Sequence, residues 1–221
     1  LGFTSFDDAY FAAMDKLPLP ETKLQLLTYQ THEEKVYAIK VISSMLRGGA
    51  EPDALAELIE TDYPALAAYL RENTGADADV DQYMRWYRKN KIINRYPGES
   101  PIQIGFDRFD PRAMLMHKIK SEDCAYFWID GFGVEYEPLF LYELKARGIL
   151  PESVKIGTAI LPTETDFNHQ WDEHDPNTTK WDRLDSLSHR GLPDDKSYFS
   201  CIVHQLSVFA DAAKKVEGLL E

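Results

Sequence analysis

The order of apolar runs between residues 126 and 161 constrains the fold more than any other feature of this sequence. A short aromatic run, Tyr126 to Ile129, is bounded by turn residues and predicts a buried strand. The segment from Glu135 to Arg147 predicts a helix that ends at Gly148, and the β-branched run from Val154 to Leu161 predicts a second strand. Strand, helix and strand in this order form a βαβ unit, which implies a parallel sheet with helices on its faces.

The chain before this unit shows helical patterns instead. Pro20 begins a predicted helix whose apolar residues form one stripe, and the pair Gly48-Gly49 ends it. Pro52 and Pro64 begin two further predicted helices, because proline is favoured in the first helical turn.

The next predicted helix carries basic and aromatic residues together. Asp79 is its predicted N-cap, and Gln82, three residues later, completes a variant of the capping box. The helix contains these aromatic and basic residues: Tyr83, Trp86, Tyr87, Arg85, Arg88, Lys89, Lys91 and Arg95. We interpret it as an amphipathic helix with a solvated basic face. The alternative is a local phosphate or nucleic-acid contact, for which such mixed composition is typical.

Two regions follow from these patterns. The stretch YPGESP, 96–101, has the composition of a linker, and Tyr198 to Leu220 predicts a long final helix. We therefore predict a helical N-terminal region over 1–97 and an α/β domain with a parallel sheet over 98–221.

Composition excludes several classes of protein. The net charge of −13 argues against a surface that coats nucleic acid, which needs a basic face. No apolar run approaches the roughly 20 residues that span a bilayer, so we expect no membrane partner. Two cysteines, Cys124 and Cys201, are too few for a disulfide framework, which favours a cytoplasmic location.

Residues that can carry chemistry follow both predicted strands. Asp130 comes directly after the first strand, and the stretch PTETDFNH, 162–169, follows the second and contains Thr165 and Asn168. Ligands of parallel sheets bind at the carboxyl ends of the strands, so Asp130 and Thr165 would lie in one crevice if the two strands are neighbours. The structural alternative is that both residues are helix N-caps, a common role for Asp and Thr.

The residue types in this crevice are typical of phosphate chemistry at a cation. A threonine hydroxyl is a weak nucleophile that needs a base or a metal, which Asp130 would hold. Asn168 would donate to a phosphate oxygen. Asp185 and His189 lie four residues apart, a spacing that lets a carboxylate and an imidazole on a helix share Zn or Mn. A surface pair is the alternative for these two residues.

Several segments together resemble the PglZ domain family of the alkaline phosphatase superfamily, found in bacterial phage-resistance systems (BREX and phage growth limitation). PTETDFNH is similar to the stretch around the nucleophilic threonine of nucleotide pyrophosphatases and phosphodiesterases. The resemblance covers roughly residues 80–221 and rests on these segments: YRKNKIINRYP (87–97), WIDGFGVEYEPL (128–139), LPTETDFN (161–168), WDRLDSLSH (181–189) and YFSCIVHQL (198–206).

The resemblance implies an alkaline-phosphatase-like fold and a metal-dependent phosphoester hydrolase. Asp130, Thr165, Asp185 and His189 would be ligands of Zn or Mn, and Thr165 would also be the nucleophile, with Asn168 beside it. The substrate would be a phosphoester, either a nucleotide or a nucleic acid, and other phage-defence proteins would be partners.

The sequence departs from the superfamily at its end. A further strand with an Asp-His-Gly ligand motif normally follows the long helix, but no such motif follows Leu220. The resemblance therefore implies a truncated sheet and an incomplete metal site, as in an inactive fragment. Two alternatives remain open. In the first, the domain is a non-catalytic scaffold within a defence complex, and the helix near residues 79–96 binds a partner protein. In the second, it is a generic α/β domain in which Asp130 and Thr165 are only helix caps.

Overall fold

The computed structural model describes residues 8–95, 100–119, 125–129, 131–159, 181–184 and 198–221. Helices make up most of these residues. The helices are α1 (Asp8–Asp15), α2 (Pro20–Gln25), α3 (His32–Arg47), α4 (Pro52–Ile59), α5 (Pro64–Arg71), α6 (Ala78–Ile92), α7 (Arg112–Ile119), α8 (Glu137–Ala146) and α9 (Tyr198–Leu220). The strands are β1 (Tyr126–Ile129) and β2 (Trp181–Leu184), and short 3-10 helices cover Phe106–Arg108 and Val134–Tyr136.

The predicted alkaline-phosphatase-like parallel sheet flanked by helices is wrong. Within the described ranges, the only strands are β1 and β2, which have four residues each and pair in parallel. Such a pair cannot form the layer of a sheet domain, because the surrounding described residues are helical.

The predicted strand from Val154 to Leu161 explains much of this difference. Residues 154–159 form no strand, and residues 160 and 161 lie outside the described residues. The backbone N–H of Thr158 donates to the carbonyl of Asp110 at 3.0 Å, and its carbonyl accepts from Arg112 N at 2.8 Å. The segment thus binds the start of α7 through one isolated bridge, and its β-branched composition does not place it beside β1.

Other predicted elements are confirmed. β1 and α9 have the predicted bounds, and α4 and α5 begin at Pro52 and Pro64 as expected. The helix predicted from Glu135 is present as a 3-10 turn that continues into α8.

Two helix boundaries differ from the prediction. The helix predicted from Pro20 to Gly48 is wrong because α2 ends at Gln25 and α3 begins at His32. Between them, Tyr29 has a φ of 56°, and Thr31 forms a capping box with Glu34. These local features give α3 its own beginning.

The N-cap of α6 is Asp77 and not the predicted Asp79. The Asp77 carboxylate accepts a hydrogen bond from Val80 N at 2.9 Å. Asp81 instead accepts from Thr74 N at 2.7 Å, which connects α6 back to the end of α5.

One hydrophobic cluster joins helices from both ends of the described chain. Buried residues of α3 and α5 belong to the same cluster as Tyr136, Leu139 and Phe209. α3 packs against α9, and α5 packs against α8. The boundary predicted at residue 97 falls within 96–99, outside the described residues, and stays a prediction. Among the described helices, none combines the length and apolar character needed to cross a membrane.

Candidate functional site

The five predicted site residues all lie outside the described parts of the chain. They are Asp130, Thr165, Asn168, Asp185 and His189. Their distances from one another are therefore predictions, and the described residues define only the approach to the site.

The ends of the two strands define that approach. β1 and β2 run parallel, and Ile129 is the register partner of Leu184. The next residues in the sequence are Asp130 and Asp185. The two candidate carboxylates therefore follow strands that end side by side in the same direction.

The neighbour of β1 is not the run from Val154, on which the shared crevice of Asp130 and Thr165 depends. The neighbour is β2, with the sequence WDRL. Two of the four residues of this segment are charged, so it contains no apolar run that would predict a strand. The strand end before Asp185 was thus missed, although Asp185 itself was chosen for its spacing to His189.

The turn after β1 is short and anchored in the core. Gly131 has a φ of 73°, a conformation that glycine adopts without strain. The ring of Phe132 packs edge-on against Phe140 at 5.7 Å and near Phe209 at 5.9 Å. The loop that follows Asp130 in the sequence is therefore held by aromatic contacts with α8 and α9.

A polar cluster lies beyond this turn. Lys91 of α6 lies 3.5 Å from the Glu135 carboxylate and hydrogen-bonds the Tyr136 hydroxyl, which donates to Gln205 at 2.6 Å. The Tyr198 hydroxyl donates to the carbonyl of Lys91 at 2.6 Å. Burial lowers the pKa of Lys91, while Glu135 opposes that change. These contacts connect three elements: α6, the 3-10 turn that precedes α8, and α9.

Glu137, at the start of α8, has a buried carboxyl group that no described residue hydrogen-bonds. Neither of its carboxylate oxygens has a hydrogen-bond partner among the described residues, and 7% of the residue is exposed. Desolvation, and then the charge of Asp81, raise the pKa of Glu137 to about 7, while Arg88 and Lys145 oppose the shift. The side chain is therefore a mixture of neutral and charged forms near neutral pH.

The basic residues of α6 do not form the predicted solvated face. Arg85 forms an ion pair with Asp53 at 3.0 Å, and Lys91 belongs to the polar cluster described above. Arg88 is 1% exposed and donates to the carbonyl of Glu72 at 2.6 Å. Arg88 and Lys91 are therefore not part of a solvated basic face. Lys89 of α6 and Arg95, just after α6, line an open pocket.

Another polar contact that sequence reasoning missed joins α3 to α9. His32 Nε2 lies 2.6 Å from the Oγ of Ser200, and Ser200 is buried. No sequence signal indicated this pair, because the two residues are 168 positions apart.

The described residues contain no group of three or more His, Cys, Asp and Glu side chains that could hold a metal ion. The predicted ligands are a different set. Two carboxylates, a hydroxyl and an imidazole are donors that suit Zn or Mn. The ends of β1 and β2 fit such a set, since they bring the chain to Asp130 and Asp185 from adjacent positions.

Comparisons of the chain with protein-family models, with curated proteins and with solved structures found no match. The resemblance of its motifs to the PglZ family therefore serves only as the basis of a proposal.

Proposed function

We propose that this chain carries the nucleophile and part of the metal site of a PglZ-type phosphoester hydrolase of a phage-defence system. Asp130, Asp185 and His189 would hold Zn or Mn together with Thr165. Asn168 would donate to a phosphate oxygen.

The observation that carries the proposal is the register of β1 and β2. Ile129 and Leu184 are partners at the ends of two parallel strands, and each is followed in the sequence by an aspartate. This arrangement supports a shared cation, because it lets residues that follow two paired strand ends approach the same ion. It requires only the two-stranded pair and does not depend on the larger sheet that proved wrong.

The proposed reaction takes place in two steps. The Thr165 oxygen forms a bond to phosphorus while the bond to the leaving oxygen breaks, and the leaving oxygen takes up a proton. Water then forms a bond to phosphorus, the bond between phosphorus and Thr165 breaks, and the threonine hydroxyl regains its proton. Bound cations would lower the pKa of the attacking hydroxyl and neutralise the phosphate charge.

The proposed substrate is a phosphoester of a nucleotide or a nucleic acid, and the proposed partners are other defence proteins. A cytoplasmic location belongs to the same proposal. It is supported by Cys201, which is a free, half-buried thiol.

Metal binding tests the proposal directly. Calorimetric titration with Zn²⁺ and with Mn²⁺ compares the wild-type chain with the double variant Asp130→Asn/Asp185→Asn. We expect the double variant to lose at least about tenfold in affinity, since even outer partners of metal sites contribute that much. The matched control is Asp8→Asn/Asp211→Asn, which removes two exposed carboxylates elsewhere. Equal affinities of the wild-type chain and the site variant would overturn the proposal.

The same titration separates the hydrolase from the scaffold alternative, which requires no metal at Asp130. That alternative used the basic face of α6 to dock a partner. Arg85, Arg88 and Lys91 instead make contacts within the chain, so the described residues give it less support.

Thr165 is tested separately by substitution. In a protein that contains the complete metal site, metal-dependent hydrolysis of p-nitrophenyl phosphate should fall to background in Thr165→Ala and persist in Thr165→Ser, which keeps a hydroxyl nucleophile. Undiminished turnover by a folded Thr165→Ala variant would remove threonine from the mechanism.

A further inference from the structure

An open pocket of about 600 Å³ lies where the C-terminal ends of α3 and α6 meet. The residues that define its chemistry are Arg47, Trp86, Lys89, Asn90, Asn94 and Arg95. We propose that this pocket binds a nucleotide, with its phosphates on the basic residues and its base on Trp86. The proposal concerns a second site, separate from the strand ends and independent of the proposed hydrolase.

Helical spacing brings the lining residues together. Trp86, Lys89, Asn90 and Ile93 are three or four positions apart and therefore share one face of α6. Arg47, the last residue of α3, faces them and donates a hydrogen bond to the carbonyl of Ile93. The two helix ends thus form the walls of a single pocket.

The charge of the pocket is opposite to that of the whole protein. Among the described residues that line the pocket, three are cations and none is acidic, although the chain carries a net charge of −13. Arg side chains match phosphate in geometry, and Lys side chains provide compact positive charge. The local charge therefore favours a phosphate-bearing ligand, although the protein as a whole repels anions.

An alternative explanation is that these cations only complement the negative end of α6. The last carbonyls of the helix already have partners, however. The carbonyl of Lys89 accepts from Ile93 N at 3.1 Å, that of Asn90 from Arg95 N at 3.0 Å, and that of Lys91 from Asn94 N at 3.1 Å. Neither the Lys89 nor the Arg95 side chain forms an ion pair or hydrogen bond with another described residue, so capping does not account for them.

The aromatic and amide groups indicate a nucleotide rather than a bare phosphate. Trp86 is half-buried, and its ring is held near Tyr83 at 5.6 Å. Bases stack on such aromatic surfaces regardless of their identity. The Asn90 amide nitrogen donates to the carbonyl of Trp86 at 2.8 Å, which leaves its oxygen to accept from a base. The volume also lies in the range of about 300–1,000 Å³ that is usual for ligand pockets.

The experiment is a calorimetric titration of the 221-residue chain with ATP in the presence of EDTA, which removes any contribution from a metal site. We expect ATP to bind the wild-type chain and to bind Lys89→Ala/Arg95→Ala at least about tenfold more weakly. The matched control is Lys40→Ala/Lys214→Ala, which removes two exposed cations elsewhere on α3 and α9. We expect this control to bind as the wild-type chain does, and added salt to weaken binding.

Inorganic triphosphate tests the role of the base. The wild-type chain should prefer ATP over triphosphate, and Trp86→Leu should lose that preference while still binding triphosphate. Lys89 is half-buried and Arg95 is exposed, so circular dichroism should show an unchanged fold in the double variant. The proposal is overturned if ATP does not bind, if the pocket and control variants weaken ATP binding equally, or if triphosphate binds the wild-type chain as tightly as ATP.

Discussion

The Glu34 carboxylate is fully buried and accepts hydrogen bonds from the turn that separates α2 from α3. Thr28 donates to it through its backbone N–H and its hydroxyl, each at 2.8 Å, and Gln30 N donates at 3.1 Å. Thr31 N donates to the same carboxylate at 3.3 Å. One side chain therefore satisfies the backbone of a segment that has no regular structure.

Glu34→Ala should lower the free energy of unfolding by about 2–4 kcal/mol, because it leaves several partly buried donors without an acceptor. The matched control is Glu33→Ala, which changes an exposed neighbour in the same turn and should stay within about 0.5 kcal/mol of the wild type. Urea denaturation measures the free energy of unfolding of both variants. A small loss for Glu34→Ala would mean that water replaces the carboxylate at little cost.

Glu137 is the opposite case, a buried carboxyl whose oxygens lack partners among the described residues. Its pKa of about 7 lies above the ordinary glutamate value of 4.5, so the folded state binds more protons than the unfolded state between these values. Stability from this group is fully present at low pH and is lost as the pH rises through 7. The loss is on the order of 1–3 kcal/mol.

Glu137→Gln should remove this part of the pH dependence, because the amide does not ionise. The free energies of unfolding of the wild type and the variant, measured from pH 5 to pH 8, should therefore converge at low pH and differ most at pH 8 in favour of the variant. Parallel curves for the two proteins would show that Glu137 does not titrate in this range.

The beginning of α6 tests the predicted N-cap, Asp79, against the observed one, Asp77. Asp77→Ala should destabilise the protein, because Asp77 accepts from Val80 N and pairs with Arg108 at 2.8 Å. Asp79→Ala is the matched control two residues away and should have a smaller effect. Thermal unfolding of both variants at pH 7 shows which one is destabilised more. A larger decrease in the melting temperature of Asp79→Ala would favour the cap predicted from the sequence.

The elements that sequence reasoning predicted correctly have local signals. Pro52 and Pro64 begin helices because their fixed φ suits the first turn, and α9 has an apolar stripe that is buried from Ile202 to Ala213. β1 is a compact aromatic run between turn residues. In each case the deciding interactions lie within the segment itself.

The elements that were not predicted from the sequence depend on partners that lie far away along the chain. Residues 154–159 bond to Asp110 and Arg112, a pairing that no local pattern contains. β2 is a strand because β1 lies beside it, since its own composition is half charged. The same reasoning applies to the candidate site. Residue types and spacing indicated Asp130, Thr165, Asn168, Asp185 and His189, whereas the register of β1 with β2 became visible only in the structure.

At the scale of the whole molecule, the core joins the early helices to α8 and α9. Phe209 is fully buried, with the rings of Tyr136 at 5.2 Å and Phe140 at 6.1 Å. Tyr136 in turn lies 5.7 Å from the ring of Tyr69 in α5. Aromatic contacts therefore run continuously from α9 to a helix of the N-terminal region.

Phe209→Ala should lower the free energy of unfolding by about 3–5 kcal/mol, because it empties a fully packed position. The matched control is Leu220→Ala on the same helix, which is 68% exposed and should change stability little. We also expect tryptophan fluorescence and circular dichroism to report one shared transition, since the helices share one core. Two separate transitions would show that the N-terminal helices unfold independently.

The proposed metal site has Asp130 and Asp185 holding one cation beyond the ends of β1 and β2. Anomalous diffraction at the zinc edge, from crystals grown with Zn²⁺, tests it most directly. We predict a peak next to Ile129 and Leu184, with an oxygen of each aspartate at about 2.0–2.2 Å from the ion. A peak elsewhere, or carboxylates that point away from each other beyond these strand ends, would contradict the account.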